Sequence, residues 1–224
     1  MKNDKLNHEN VKFTKTLVYG ALAFWFVFAL VMGMQGRFAA GPQKPPLALG
    51  LIIGLPMLLF GLAYARHGSF WAFAQTLDLR VITGLHLSRI VGFVFLALCA
   101  EGRLPAEFAL PAGINDIIIG LAAIPLALGI SKGAPAAGKW FVAWNVFGLL
   151  DLISAVTLGI LQSPSSLGIL AGSGPTTLLM SQFPLSMIPT FLVPVFMLLH
   201  MLSLSRRSEV TGTTGVPSIA HGHA

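Results

Sequence analysis

The sequence predicts an all-α integral membrane protein, a polytopic helical bundle of about six transmembrane helices with both termini cytoplasmic. Three observations carry this expectation. The 224 residues are 55% hydrophobic and only 10% charged, with a mean hydropathy of +0.80, whereas a soluble domain carries about a quarter charged residues. So little charge cannot cover a water-facing surface of this size, and lipid must be the main solvent. Six apolar runs reach the roughly 20 residues that cross a hydrocarbon core about 30 Å thick as a helix. They are 16–35, 46–65, 80–100, 110–131, 140–161 and 184–204.

The basic residues between these runs supply the third observation. Lys2, Lys5, Lys12, Lys15, Arg66, Arg80, Lys132, Lys139, Arg206 and Arg207 fall on one side, against Arg37, Lys44 and Arg103 on the other. The side rich in lysine and arginine is the cytoplasmic one, and an even number of spans returns both termini to it. Backbone groups in lipid must be satisfied within their own segment, which makes helices the default. The runs are too long and continuous for barrel strands of about ten alternating residues.

The first run follows the charged start "MKNDKLNHENVKFTK". It resembles a signal peptide only loosely. Leu17 to Met34 is 18 apolar residues, longer than a signal core of about 7–15, and Arg37 crowds the would-be cleavage site. It reads as a retained first span. The second run follows the Pro-containing loop "GPQKPP". After it, "RHGSFWAFAQTLDLR" (66–80) mixes aromatic and charged residues, as a segment at the cytoplasmic interface would, with Trp71 at head-group level.

The third run holds His86 and Arg89, and near its end Cys99, the only cysteine. One cysteine excludes an internal disulfide and a cysteine-based zinc site. The fourth run holds Asn115 and Asp116, the fifth Asn145 and Asp151. "GINDIIIG" and "GLLDLISA" share the form GxxDxxx-small on consecutive, hence antiparallel, spans. Small residues near each acid let a neighbouring helix approach closely. The stretch 163–183 carries no charge and many small residues; it is an external loop or a segment dipping part-way into the membrane. The last run has prolines at 184, 189 and 194, and Pro194 should kink it by removing a backbone donor. Residues 1–205 thus read as one transmembrane domain. Residues 206–224, polar and small, read as a disordered cytoplasmic tail.

Ionisable groups in spans cost about 2.5–3.5 kcal/mol each at mid-span, so each needs a partner or water. Helical rise of about 1.5 Å per residue puts Arg89 roughly 12 Å and Asp151 roughly 15 Å from the cytoplasmic face. Asp116 falls about 9 Å from the outer face and about 20 Å from the inner one. Arg89 is therefore expected to pair with Asp151, as an ion pair that fixes register or as one that breaks and reforms. Asp116 is expected to lack a cation at its own depth: it is neutral or bonds Asn115 and external water, or, with burial disfavouring its charge and access to one side, it carries a proton. His86 and His200 both lie roughly 6–8 Å from the cytoplasmic face. Two histidines at one depth on different helices can clamp a haem, although a metal would need further ligands. The plainer reading is that each bonds a carbonyl or reaches head groups.

The net charge of +6 reflects topology and contact with anionic head groups rather than nucleic acid, because the basic residues sit between apolar runs. No GxxxxGK[ST], GxGxxG or HExxH motif occurs, which points away from an enzyme and offers no cofactor. Three functional classes remain. One moves a small solute or proton through a polar bundle centre built from Arg89, Asp116, Asp151, Asn115 and Asn145. Another binds haem or carries electrons through His86 and His200. The last is a structural or accessory subunit whose charges lock its helices. The expected partner is the lipid bilayer of a plasma or bacterial inner membrane. Twenty-four glycines suit close helix contacts, within one chain or in a homo-oligomer.

Overall fold

The computed structural model describes residues 2–39, 44–66 and 68–212. Among these there is no strand. The helices are α1 (Lys2–Met34), α2 (Leu47–Arg66), α3 (Gly68–Gln75), α4 (Leu79–Leu85), α5 (Phe93–Ala100), α6 (Ala106–Ser131), α7 (Pro135–Leu161), α8 (Val193–Ser205) and α9 (Ser208–Thr211). Six stretches are long and apolar enough to cross a membrane: Glu9–Met34, Leu47–Arg66, Leu79–Ala100, Ala106–Ser131, Ala136–Leu161 and Ile188–Ser205. The protein is a multi-pass helical bundle. Six crossings bring the two ends of the bundle to one face, here the N-terminal face, opposite the far face.

Two spans are not uniform α-helix. In the third, a 3₁₀ segment, His86–Gly92, joins α4 to α5. Its rise of about 2.0 Å per residue stretches this part of the span. The sixth begins later than its apolar run: residues 184–186 form turns, and a π-helical turn, Ile188–Leu192, leads into α8. Pro194 has no N–H to give the Thr190 carbonyl, its partner four residues back. The indole Nε1 of Trp25 on α1 donates to that oxygen instead, at 3.0 Å. The irregular stretch expected at Pro194 is therefore a π-turn, held by a side chain from another helix.

Caps end the helices where the sequence supplies them. Asp78 accepts a hydrogen bond from the Arg80 amide at 2.8 Å and so N-caps α4. The Arg80 guanidinium bonds the same carboxyl, which is held down at about 2. Gly102 and Gly133 have φ of 68° and 61°, a region glycine enters without strain. Behind them, Arg103 N–H reaches Leu98 C=O at 2.8 Å and Ala134 N–H reaches Gly129 C=O at 3.0 Å, closing Schellman turns.

Helix α6 is the hub. It packs against the 3₁₀ segment, α4, α5 and α7. Glycine makes this approach possible. A Cβ on Gly92 would lie 2.5 Å from Asp116 Cβ, and one on Gly113 would lie 2.8 Å from the Gly92 carbonyl oxygen. A Cβ on Gly120 would lie 3.1 Å from the Ile90 amide. Two apolar clusters flank this seam. Leu79, Ile82, Ile119, Phe141 and Trp144 fill the half toward the N-terminal face. Phe95, Leu104, Phe108 and Met180 fill the far half. Helices α1 and α2 sit at the flank, against α3 and α8 respectively, and expose Phe24, Val27, Leu51 and Leu58 as lipid-facing helices do.

The segment after α2 is more buried than an interfacial stretch needs to be. Phe73 and Ala74 are buried, and Tyr19 of α1 meets Phe73 edge-on with ring centroids 6.1 Å apart. Trp71 remains half-exposed, packed edge-on to Tyr64. The stretch 163–183 folds back over the end of α7. Thr177 N–H reaches Gln162 C=O at 3.0 Å, and its hydroxyl donates to Gly159 C=O at 2.5 Å.

The start of the expected tail differs from a disordered one. Arg206 is buried and donates to the Ala74 and Leu77 carbonyls at 2.8 and 2.6 Å, and to Glu209. Its guanidinium takes the orphan carbonyls at the end of α3, and α9 packs against α7. Residues 213–224 lie outside the described residues.

Candidate functional site

Arg89 lies at the centre of the bundle, 1% exposed. Its Nε donates to Asp116 Oδ1 at 2.7 Å, and its Nη2 donates to Asp151 Oδ2. Its Nη1 points at the Gly148 carbonyl (3.4 Å) and at His200 Nε2 (3.2 Å). Phe196 closes one side, 6.0 Å from the guanidinium carbon to the ring centroid. Asn115 stands beside Asp151. One cation thus serves two carboxylates, one from α6 and one from α7.

The pairing with Asp151 agrees with the depth argument. The expectation that Asp116 has no cation is corrected. Residue counting put about 8 Å between Asp116 and Arg89 along the membrane normal. The 3₁₀ segment carries Arg89 further along than an α-helix would. The Gly92–Gly113 contact then brings Asp116 level with Gly92, one turn beyond Arg89. The long guanidinium arm spans the remainder. The GxxDxxx-small echo acquires a geometric meaning here, since both acids close on the same arginine.

A directed hydrogen-bond chain leads away from Arg89. A guanidinium can only donate, so His200 Nε2 accepts from it. The proton of the neutral ring is therefore on Nδ1, which donates to Asn145 Oδ1 at 2.9 Å. Asn145 Nδ2 in turn donates to Phe141 C=O at 2.8 Å. Asn145 and His200 are both fully buried. Gly148 makes room for the ring: a Cβ there would collide with His200 and lie 3.3 Å from Arg89 Nη1. The sequence showed that Gly148 precedes Asp151 by one helical turn, but not which ring it admits.

His86 and His200 do meet, but as a stack. Their ring centroids are 4.0 Å apart at an interplanar angle of 34°, and Trp144 and Phe196 complete the box around His86. A haem clamp needs the two rings to aim nitrogens at each other across a macrocycle. Here the faces touch, and both nitrogens of His200 are engaged. The arrangement does not fit haem. Both nitrogens of His86 are buried with no hydrogen-bond partner. Among the described residues no group of three or more His, Cys, Asp or Glu is arranged to hold a metal ion.

A cavity of about 340 Å³ opens on the far side of the cluster. Phe38, Phe95, Phe108, Leu152 and Val193 contribute to its walls, and the 163–183 segment adds Thr177 and Ser181. Among the described residues, Asp116 is the only ionisable one in its lining. The carboxylates therefore differ in access: Asp116 is 13% exposed, Asp151 3%.

The fold and this cluster define a polytopic helical membrane protein with a buried Arg–Asp–Asp centre, one carboxyl of which lines a cavity. The chain belongs to the family described as Domain of unknown function (DUF8737), whose model matches residues 45–206. That range covers every residue of the cluster and leaves out α1. No curated protein matches the chain, and no solved structure does.

Proposed function

We propose that the protein moves a proton, alone or together with a small solute, through the centre of its bundle, with Arg89, Asp116 and Asp151 as the working groups. One observation carries the reading: a single buried cation serves two carboxylates, and only one of these meets a cavity. With both acids ionised the centre holds one excess negative charge in an apolar surround, which is strongly unfavourable. A proton on one carboxyl, or a cation beside it, removes that charge. Asp116 is the acid that exchanges, because it reaches the cavity. The lysine and arginine bias supports a cytoplasmic N-terminal face in a bacterial inner or plasma membrane, which makes the cavity face the outside.

The test is proton entry into liposomes carrying a pH-sensitive dye, driven by an imposed membrane potential. Wild type should acidify the lumen, and Asp116→Asn should slow this about tenfold or more, the scale of losing an essential proton carrier. Equal rates for the two overturn the reading. The competing reading, a structural lock, draws on the completeness of the Arg89–Asp151 bond. A lock of that kind needs only one acid.

A further inference from the structure

We infer that the far-face cavity binds a small lipophilic organic cation, a protonated amine on an apolar body, in exchange for one proton at Asp116. This rests on the reading of the Arg89 cluster as the working centre.

The cavity sets the class of ligand. Its volume of about 340 Å³ lies in the range of small-molecule sites, about 300–1,000 Å³. Its walls are aromatic and aliphatic side chains, suited to a ring or short chain. Among the described residues no lysine or arginine lines it, and its one ionisable group is a carboxyl. Arg89 is behind that carboxyl, 1% exposed, so a ligand inside the cavity meets Asp116 before Arg89, while Arg37 and Lys44 stay outside it, in an adjoining pocket that shares Phe38, Pro45, Pro46 and Leu47. A neutral ligand would leave the excess negative charge to the proton and so would not exchange with it.

Every group facing Asp116 enters the charge balance. The 3₁₀ segment contributes Arg89 and the backbone at Gly92. Helix α7 contributes Asp151, and α6 itself the neutral Asn115. Helix α8 contributes His200, neutral and held behind Arg89. The centre is neutral with one proton or with one monovalent cation, but not with both. The exchange balances: the Asp116 carboxyl gives its proton to water at the far face, and the ammonium takes its place as the carboxylate's counter-ion. Two occupants that exclude each other are coupled by that exclusion alone, and exchange across the membrane follows if the cluster also opens to the other face.

The experiment is titration calorimetry of the full chain in phosphatidylcholine nanodiscs with phenethylamine, 2-phenylethanol and phenylacetate, three probes of similar shape and different charge. Phenethylamine should bind about tenfold more tightly than the alcohol, a gap of about 1.4 kcal/mol, and phenylacetate more weakly than either. Repeating the amine titration in buffers of different ionisation enthalpy should show about one proton released per amine. Asp116→Asn should remove the preference for amine over alcohol, and Asp116→Glu should keep it. Ala155→Phe, which fills the cavity one helical turn from Asp151, should weaken amine and alcohol together. Equal binding of amine and alcohol, a preference for phenylacetate, no proton release, or unchanged selectivity in Asp116→Asn each overturn the inference. Proton entry into liposomes without amine reports separately on the transport reading. Binding without proton flux removes transport and leaves the site, and flux without amine binding does the reverse.

Discussion

Replacing Arg89 with glutamine removes the only cation from a centre that holds two carboxylates. Four interactions go at once: the bonds to Asp116 and Asp151 and the Nη1 contacts with His200 Nε2 and the Gly148 carbonyl. Breaking a buried ion pair by removing one partner costs about 3–5 kcal/mol, mostly because the other charge is left uncompensated. If that is the cause, the loss must depend on the acids. Adding Asp116→Asn and Asp151→Asn to Arg89→Gln should recover most of it, since an uncharged polar centre leaves no uncompensated ion. The expected coupling between the arginine and the paired acids is about 2–3 kcal/mol in the stabilising direction. Reversible unfolding by denaturing detergent, followed by tryptophan fluorescence, measures all the variants needed for the cycle. If Arg89→Gln costs less than about 1 kcal/mol, or the losses simply add, the two acids are not answering to Arg89. The cluster would then have to be redrawn.

Four further outcomes follow from the packing. Gly148→Ala drives a methyl into the His200 ring and should cost about 1–3 kcal/mol by overpacking, while Gly50→Ala, which meets nothing within 4 Å, should stay within about 0.5 kcal/mol of wild type; thermal melting in detergent compares them. Trp25→Phe removes the indole donor to the Thr190 carbonyl and should cost about 1 kcal/mol, visible in the same melts and as looser cross-linking between cysteines placed on α1 and α8. Arg206→Gln uncovers the carbonyls at the end of α3 and should speed proteolytic cleavage between α2 and α4 without altering proton entry. Asp78 is held at about 2 against an ordinary 3.8, so its contribution is complete above 3.8 and fades as pH falls toward 2. At so exposed a position screening limits it to a few tenths of a kcal/mol, and acid titration of wild type against Asp78→Ala should show a difference of that size.

Much of the fold was legible because lipid imposes strong rules. A run such as Leu47 to Arg66 can satisfy its backbone in hydrocarbon only as a helix, so its ends could be read to within a residue or so. The third and sixth spans resisted that rule. Their departures, a 3₁₀ segment at His86–Gly92 and a π-turn at Ile188–Leu192, depend on tertiary partners such as Trp25 that no local pattern reports. In the site, Arg89 and Asp151 could be paired from depth alone. Asp116 could not, because rise per residue ignores the reach of a guanidinium and the close approach allowed by Gly92 and Gly113. The stacking of His86 on His200 was open to depth reasoning only as a coincidence of height, since rotation about each helix axis decides whether two rings meet. Arg206 read as tail because its chain neighbours are polar; its carbonyl partners lie more than a hundred residues earlier.

The second carboxylate is what favours the proposed working centre over a fastener. A buried arginine whose purpose is to hold two helices in register is balanced by one acid, and Asp151 fills that role at 3% exposure. Asp116 adds a charge that the interior must then neutralise, and a sequence under pressure only for stability would be better served by asparagine there. Its position is not that of a stray surface acid either. Gly92 and Gly113 give up their side chains so that α6 can press against the third span at this level, and the cavity ends on the same carboxyl. The proposed exchange of an ion or proton at Asp116 is what would sustain such a cost. The His200–Asn145 chain on the other side of Arg89 fixes the guanidinium in place, so a change of partner at Asp116 can occur while the Arg89–Asp151 bond stays closed.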